Sequence, residues 1–413
     1  SPGPIGAPSR WGAAMPPTQF NPTTITVNEA FEAYTQAHAS GCPLVHSGAH
    51  GGFWLVVGFD EARSVLADHE RFRSGPGVLF PDPGLPKNVP LEFDPPEHRA
   101  LRAIFTDALT TPKVRATAIH IREHVDALID TFAPRGTAEL CAEYAGPLTL
   151  QTIATHVGIA LPQLPEMQRV SEALLRSLET PDTRDEAAIA DFSAFALELI
   201  QSRRAHPRDD PLTVLANAEV DGRTLNPDEA VGYFTGFLIA GHDTTRTSLC
   251  RLLDRVGRDD RLRTRLREHP EQTARVVEES LRLRPPFHFF RRTVHTACEL
   301  AGQPLRPGEP VLVSFAAANR DPATFGNPDQ FDPDRHHGRH LTFGHGIHLC
   351  AGATLARTQL NLGLTGLLRR LPDYRPTIDD PDNGVPLRVV DTMRTLPVVF
   401  TPPALGAASV RST

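Results

Sequence analysis

The stretch Phe343-Gly344-His345-Gly346-Ile347-His348-Leu349-Cys350-Ala351-Gly352 decides how the rest of the chain is read. Three glycines in ten residues specify an irregular backbone that can approach a ligand closely. Cys350 stands where this loop passes into a helix expected from about Cys350 to Leu371. Amides at a helix N-terminus carry partial positive charge, which stabilises a thiolate. A thiolate held in that way suits a metal, iron in particular. Taken alone, these residues also allow two blander readings. A lone cysteine is commonly a small buried hydrophobe. The histidines His336, His337, His340, His345 and His348 suggest zinc, which needs three or four convergent ligands, and no HExxH is present. Gly344 and Gly346 lack the third glycine of a dinucleotide fingerprint, and no clear strand precedes them.

Working outward, the other four cysteines (Cys42, Cys141, Cys250 and Cys298) are scattered and nowhere form CxxC. A disulfide scaffold and a four-cysteine zinc module are both disfavoured, and a reduced, cytoplasmic protein is expected. The net charge of −7 argues against nucleic-acid binding on charge alone. No apolar run approaches the ~18 residues of a membrane span, and no secretion signal opens the chain. Residues 1–20, rich in Pro, Gly and Ala, read as a disordered arm or as an artificial leader before a native start at Met15. Residues 21–405 then form one large domain, with 406–413 as a tail. Neither a repeat nor an abrupt change of composition divides the 413 residues further.

The fold class is mainly α with smaller β regions. Phe53 to Val57 is a short apolar, β-branched run expected to be a strand, and Asp60 is expected to cap a helix through Leu66. Helical periodicity dominates from about Pro96 to Arg284. Asn226-Pro227-Asp228-Glu229 is a strong helix start, and Gly257 is a suitable stop. The helix between them would be roughly 45 Å long at 1.5 Å per residue. It contains Gly232, Gly236 and Gly241, which point either to tight helix packing or to something flat lying close. A second helix runs from Pro270 to the Pro285-Pro286 pair. Strands are expected at Cys298–Leu300 and Pro310–Val313.

FGHGIHLCAG resembles the haem-binding signature of the cytochrome P-450 superfamily. The resemblance implies that Cys350 is the thiolate ligand of haem iron, that His348 meets a haem propionate, and that Phe343 packs beside the sulfur. Ala351 departs from the bulkier aliphatic common there. Ala240-Gly241-His242-Asp243-Thr244-Thr245, midway along the long helix, is similar to the family's oxygen-activating segment. Gly241 would leave room for dioxygen, and Asp243 and Thr244 match the acid–alcohol pair that supplies protons. Glu279 and Arg282, at i,i+3, match the ExxR pair, with Arg335 as third member of a structural trio. His98, Arg102 and Arg292 match propionate partners, for which forked cationic donors are suited. The resemblance covers about residues 25–400 and implies a single-domain fold with the long helix over haem b.

The same resemblance places a substrate pocket above the haem. Its walls would come from Val78-Leu79-Phe80, from Phe237 with Ala240, from Phe287 to Phe290 including His288 and Phe289, and from Val390 to Met393. These residues are mostly apolar, so a hydrophobic small molecule is the expected substrate. His288 stands out among phenylalanines and would either bond a substrate oxygen or satisfy a backbone group. The expected reaction is O2-dependent hydroxylation or epoxidation, in secondary metabolism by analogy with bacterial relatives. Oxidative coupling, cyclisation or desaturation without oxygen insertion is the alternative within the family, and a non-catalytic haem-thiolate sensor or carrier the alternative outside it. The chain has no flavin or iron–sulfur motif, so electrons would come from a separate ferredoxin and NAD(P)H-dependent reductase. Arg99, Arg102, Lys113 and Arg115 form the expected docking face.

Overall fold

The computed structural model describes residues 20–82, 87–179, 185–220, 222–335, 340–379, 382, 384–387 and 390–403. The expected arm and tail, Met15, and the histidines His336 and His337 lie outside these residues. In chain order the first half comprises α1 (Val27–Ala39), β1 (Leu44–Ser47), β2 (Phe53–Val56), α2 (Phe59–Ala67), β3 (Phe72–Arg73), α3 (Glu97–Ala108), α4 (Thr111–Phe132), β4 (Thr137–Glu139), α5 (Gly146–Val157), α6 (Leu164–Glu179) and α7 (Glu186–Ala205). There follow α8 (Pro211–Ala216), β5 (Glu219–Val220), β6 (Arg223–Thr224), α9 (Pro227–Thr235), a π turn (Gly236–Ala240), α10 (Gly241–Gly257), α11 (Asp260–Glu268) and α12 (Thr273–Leu283). The last part holds β7 (Phe289–Val294), β8 (Cys298–Leu300), β9 (Gln303–Leu305), β10 (Pro310–Ser314), α13 (Phe315–Ala318), α14 (Ala353–Arg370), β11 (Arg375–Pro376) and β12 (Pro397–Val399).

The β-branched runs find partners far along the chain. β1, β2, β10, β7 and β3 form one sheet in that order, with β10 parallel to β2 and the other neighbours antiparallel. β11, β12 and β4 make a second, smaller sheet. The helices dominate the rest. α14 packs against α4, α10 and α12, and α10 also packs on α5. Leu249, Leu252, Leu253 and Val256 of α10 meet Leu360, Leu364 and Leu367 of α14 and Ile121, Val125 and Ile129 of α4 in one core. Each such side chain, fully buried, contributes roughly 1.5–3 kcal/mol. Gly363 lets α14 approach closely, because a Cβ there would press on Leu249 and Leu148. Among the described residues no helix is long and apolar enough to cross a membrane.

The capping box at Asn226 is formed: its side chain accepts from Glu229 N while Glu229 accepts from Asn226 N. The helix it starts reaches Gly257, yet it is not uniform, since the π turn separates α9 from α10. Its glycines serve protein packing. A Cβ on Gly232 would meet Val89 Cγ2 at 2.8 Å, and one on Gly236 would meet Phe105 Cζ at 2.9 Å. Asp60 does not cap α2. Gly58 is the cap position, and the amide of Phe59 instead donates to Asp321 Oδ2 at 2.8 Å, a partner far along the chain. The final long helix starts at Ala353, three residues beyond Cys350, because the glycine loop holds the cysteine in irregular backbone.

Candidate active site

Gly344 (φ +74°) and Gly346 (φ +71°) take left-handed backbone, which strains other residues. Those two turns fold the loop back so that Cys350 N donates to Phe343 O at 2.8 Å. The thiol opens onto a cavity of about 860 Å³. Burial pushes the Cys350 thiol up, while the amides of Gly352 and Ala353 and the guanidinium groups of Arg102 and Arg357 pull it down. Phe343 is held beside it. Arg357 lies 4.3 Å over the Phe343 ring and pairs with Glu278 at 2.7 and 2.8 Å. Neither Arg357 nor Glu278 was legible as a site residue; Arg357 at seven residues after the cysteine, one face of α14 away, is the signal that was available.

Asp243 and Thr244 reach the same cavity from α10. The π turn lies just before them in the helix. Thr244 Oγ1 donates to Ala240 O at 2.5 Å. Asp243 is buried and bonded through Oδ1 to Arg246 Nη2 at 2.8 Å and Nε at 3.1 Å. Gly241 borders the cavity, and its lack of a side chain also serves packing. A Cβ there would strike Ile153 Cδ1 at 2.6 Å, so the missing side chain makes room for α5.

Arg102, Arg292 and His348 line the cavity, and buried His98 packs against His348, although their elements are distant in sequence. The rings of His98 and His348 lie 4.4 Å apart. Burial, with Arg292, His98 and Arg102 nearby, pushes His348 down to about 2. Burial also lowers Arg292 to about 10, partly offset by Asp94. Asp94 itself accepts from the amides of Ser74 and Gly75 at 3.0 and 2.9 Å. The Nε2 atoms of His98 and His348 are buried with no hydrogen-bond partner. Buried donors without partners are costly, so this quartet calls for an anion. The orphaned nitrogens, the two arginines and the thiol on one cavity fit the haem that the resemblance implies. Zinc fares worse: among the described residues no three His, Cys, Asp or Glu side chains converge as metal ligands.

The Glu279–Arg282 pair is not a surface ion pair. Both side chains are 0% exposed and meet at 2.7 Å. Arg282 also donates to the carbonyls of Asn319 and Pro328 at 2.7 Å each, and Glu279 accepts from Asp332 N at 2.9 Å. Arg335 joins more loosely, 3.5 Å from Glu279 and bonded to the carbonyls of Asn327 and Gln330. The route to the cysteine loop runs through Asn319, whose side chain accepts from Leu341 N and donates to Thr342 Oγ1. Thr342 in turn donates to Leu281 O. A lone Asn in a Pro-rich loop gave no sequence signal for that link.

Leu79, Phe80, Phe237, Ala240 and Phe289 line the cavity. His288 and Met393 do not. His288 is buried behind the wall, with Nδ1 3.4 Å from Tyr34 Oη and Nε2 3.5 Å from Asp391 Oδ2. Met393 belongs to the helical core. Phe287, Phe289 and Phe290 line the cavity while His288 turns away, and Thr392 lines it in place of Met393. Of the expected docking residues, Arg99 and Arg115 are exposed, whereas Arg102 turns inward to Leu349 O and Lys113 pairs with Asp107 at 3.1 Å.

A family model described as "Cytochrome P450" matches residues 150–372. The mycinamicin IV hydroxylase/epoxidase of Micromonospora griseorubida is 34% identical over 329 residues, 78% of this chain and 83% of that one. The steroid C26-monooxygenase of Mycobacterium tuberculosis is 33% identical over 346 residues, covering 82% and 92% of the two chains. Among solved structures, a mutant of P450 EryK in complex with erythromycin B superposes with a TM-score of 0.81 at 29% identity, over 94% of this chain and 99% of that one. Matches of this extent and identity reach beyond a shared fold, and the chain belongs to the cytochrome P450 family of oxidoreductases.

Proposed function

We propose that this P450 binds haem b through Cys350 Sγ and uses O2 and two externally supplied electrons to hydroxylate or epoxidise a hydrophobic small molecule of secondary metabolism. One observation carries the reading: a thiol and an acid–alcohol pair open onto one mostly apolar cavity, beside two arginines and two histidines with orphaned ring nitrogens. His98, Arg102, Arg292 and His348 would hold the propionates. When bound, haem iron supplies the site at which dioxygen is taken up and reduced.

The protein's own contribution is proton handling and the exclusion of water. Because the Thr244 proton is directed to Ala240 O, the lone pairs of Oγ1 are left to accept a hydrogen bond from a protonated oxygen or a water in the cavity. Nε and Nη2 of Arg246 both bond Asp243 Oδ1, so Oδ2 is the oxygen left for proton exchange in this reading. Phe237, Phe287 and Phe289 exclude water and take up an apolar substrate. The relatives above are named for mycinamicin IV, a steroid and erythromycin B, which supports a bulky hydrophobic substrate. The electron donors would be a ferredoxin and its NAD(P)H-dependent reductase.

The test is the carbon-monoxide difference spectrum of the reduced protein. A strongly red-shifted band in the wild type, lost in Cys350→Ala, is expected. Its absence from the wild type would overturn the reading.

A further inference from the structure

Behind the cavity wall lies a closed ring of ions, buried except for the partly exposed Arg284. Arg251 of α10 meets Asp382 at 2.5 Å and Asp391 at 2.9 Å. Arg284, just after α12, meets the same two carboxylates at 2.7 and 2.9 Å. His288 adds a contact to Asp391 at 3.5 Å, and its other nitrogen faces Tyr34 Oη of α1 at 3.4 Å. Phe31, also on α1, covers the ring: Arg284 sits 5.1 Å from its centroid and the His288 ring 5.1 Å. Two arginines balance two aspartates, and burial keeps His288 down in its neutral form. Asp391 is held well below the carboxylate range; burial opposes this, and Arg284 and Arg251 outweigh it.

The ring members lie between residues that face the cavity. Pro286, Phe287 and Phe289 line it, while Arg284 and His288 point back into the ring. Val390 and Thr392 line it, while Asp391 points back. Asp391 N donates to Pro286 O at 2.7 Å, joining the two wall segments directly. Arg251 lies seven residues after Thr244, on the same face of α10, so the ring ties both segments to the helix that carries the acid–alcohol pair.

We propose that the Arg251–Asp382–Arg284–Asp391 ring, with His288, is a positioning device that fixes the cavity wall at Pro286–Phe289 and Val390–Thr392 relative to α10, and so determines which substrates fit over the haem. This rests on the functional reading above. Apolar residues could fill such a space with equal or greater stability. What the ion ring adds is one permitted geometry, because each carboxylate is shared between two fixed guanidinium forks. None of these residues touches the cavity, so each acts through the wall and none is catalytic.

The test titrates the holoenzyme with two iron-binding azoles. Imidazole reads the haem alone, and 4-phenylimidazole also reads the wall. In Asp391→Asn, which leaves the ring with an excess positive charge, the 4-phenylimidazole dissociation constant is expected to rise about tenfold. The imidazole constant should stay within about twofold and the carbon-monoxide band should persist. A parallel change in both azoles, or in neither, would overturn the proposal. If Asp391→Asn yields no holoenzyme, His288→Gln decides: it keeps all four ions and should weaken 4-phenylimidazole alone, about threefold. No selective loss there overturns the proposal equally. A wild type without the red-shifted band defeats the functional reading instead, while a wild type with the band and unselective variants defeats the positioning role alone.

Discussion

Thr244 shows how far a single residue can be read. Its neighbour Asp243 and its place in AGHDTT predicted a hydroxyl facing the reaction space, but helical Thr commonly bonds the carbonyl one turn back. The structure has Thr244 doing that, on Ala240 O, while it faces the cavity. The bond orients the hydroxyl and leaves acceptor lone pairs inward. Thr244→Ala should therefore keep haem and substrate binding but uncouple the reaction. Product formed per O2 consumed should fall by on the order of a hundredfold if general acid–base help is lost, with hydrogen peroxide appearing in its place. Oxygen uptake measured beside peroxide checks this, and full coupling in the variant would refute the proton-handling role. Arg246 shows the opposite limit. It could be seen in the sequence, yet only its 2.8 Å approach to Asp243 distinguishes it from any surface arginine.

At the scale of elements, the glycine loop was legible as irregular backbone, but the reason for each glycine was not. Gly344 and Gly346 have nearly equal left-handed φ values. A Cβ on Gly344 would find His348 O at 3.6 Å, ordinary contact, whereas one on Gly346 would collide with Leu66 O and come within 3.1 Å of Ala67 Cα at the end of α2. Gly344→Ala should cost about 1 kcal/mol of backbone strain, and Gly346→Ala about 3 kcal/mol or more with loss of haem retention. Urea unfolding and haem content of the two variants check the order; equal costs would contradict the packing argument. The long helix teaches the same lesson. Its capping box and stop were written in the sequence, but the π turn at Gly236–Ala240 depends on how the helix meets the cavity.

Across the whole molecule, acid stability follows from buried titratable groups. Burial lowers His156 to about 4 from 6.5, against its bond to Ala108 O. The folded state therefore binds fewer protons than the unfolded chain between those values. This contribution costs nothing above about pH 6.5 and removes about 3 kcal/mol of stability as the pH falls to about 4. For Glu278, burial raises its value, but bonds from Arg357 and His340 outweigh that and bring it to about 2 from 4.5. Its stabilisation is present above 4.5 and is lost as the pH falls towards 2. Melting temperatures of wild type and His156→Gln across pH 7 to 4 should converge at the acid end, with the variant curve flatter. Parallel curves would exclude His156 as the cause. Surface charge makes a separate prediction. Charge reversal at the exposed Arg99 and Arg115 should slow reduction by an acidic ferredoxin several-fold and weaken its salt dependence, leaving the carbon-monoxide band unchanged. Stopped-flow reduction at several ionic strengths tests it.

The sequence by itself determined the helix-rich class, the main helix start and the cysteine that stands apart from the other four, because caps, periodicity and loop glycines are local chemistry. It also carried the spacing of Glu279 with Arg282, which a single helix turn enforces. Only the tertiary structure decided that this pair is wholly buried, that Arg102, Arg292 and His348 line one cavity with His98 against His348, and that His288 turns away from it. Those outcomes depend on which faces pack against which. A buried charge is tolerated only where distant segments supply its partners, and no local pattern states where those segments will meet.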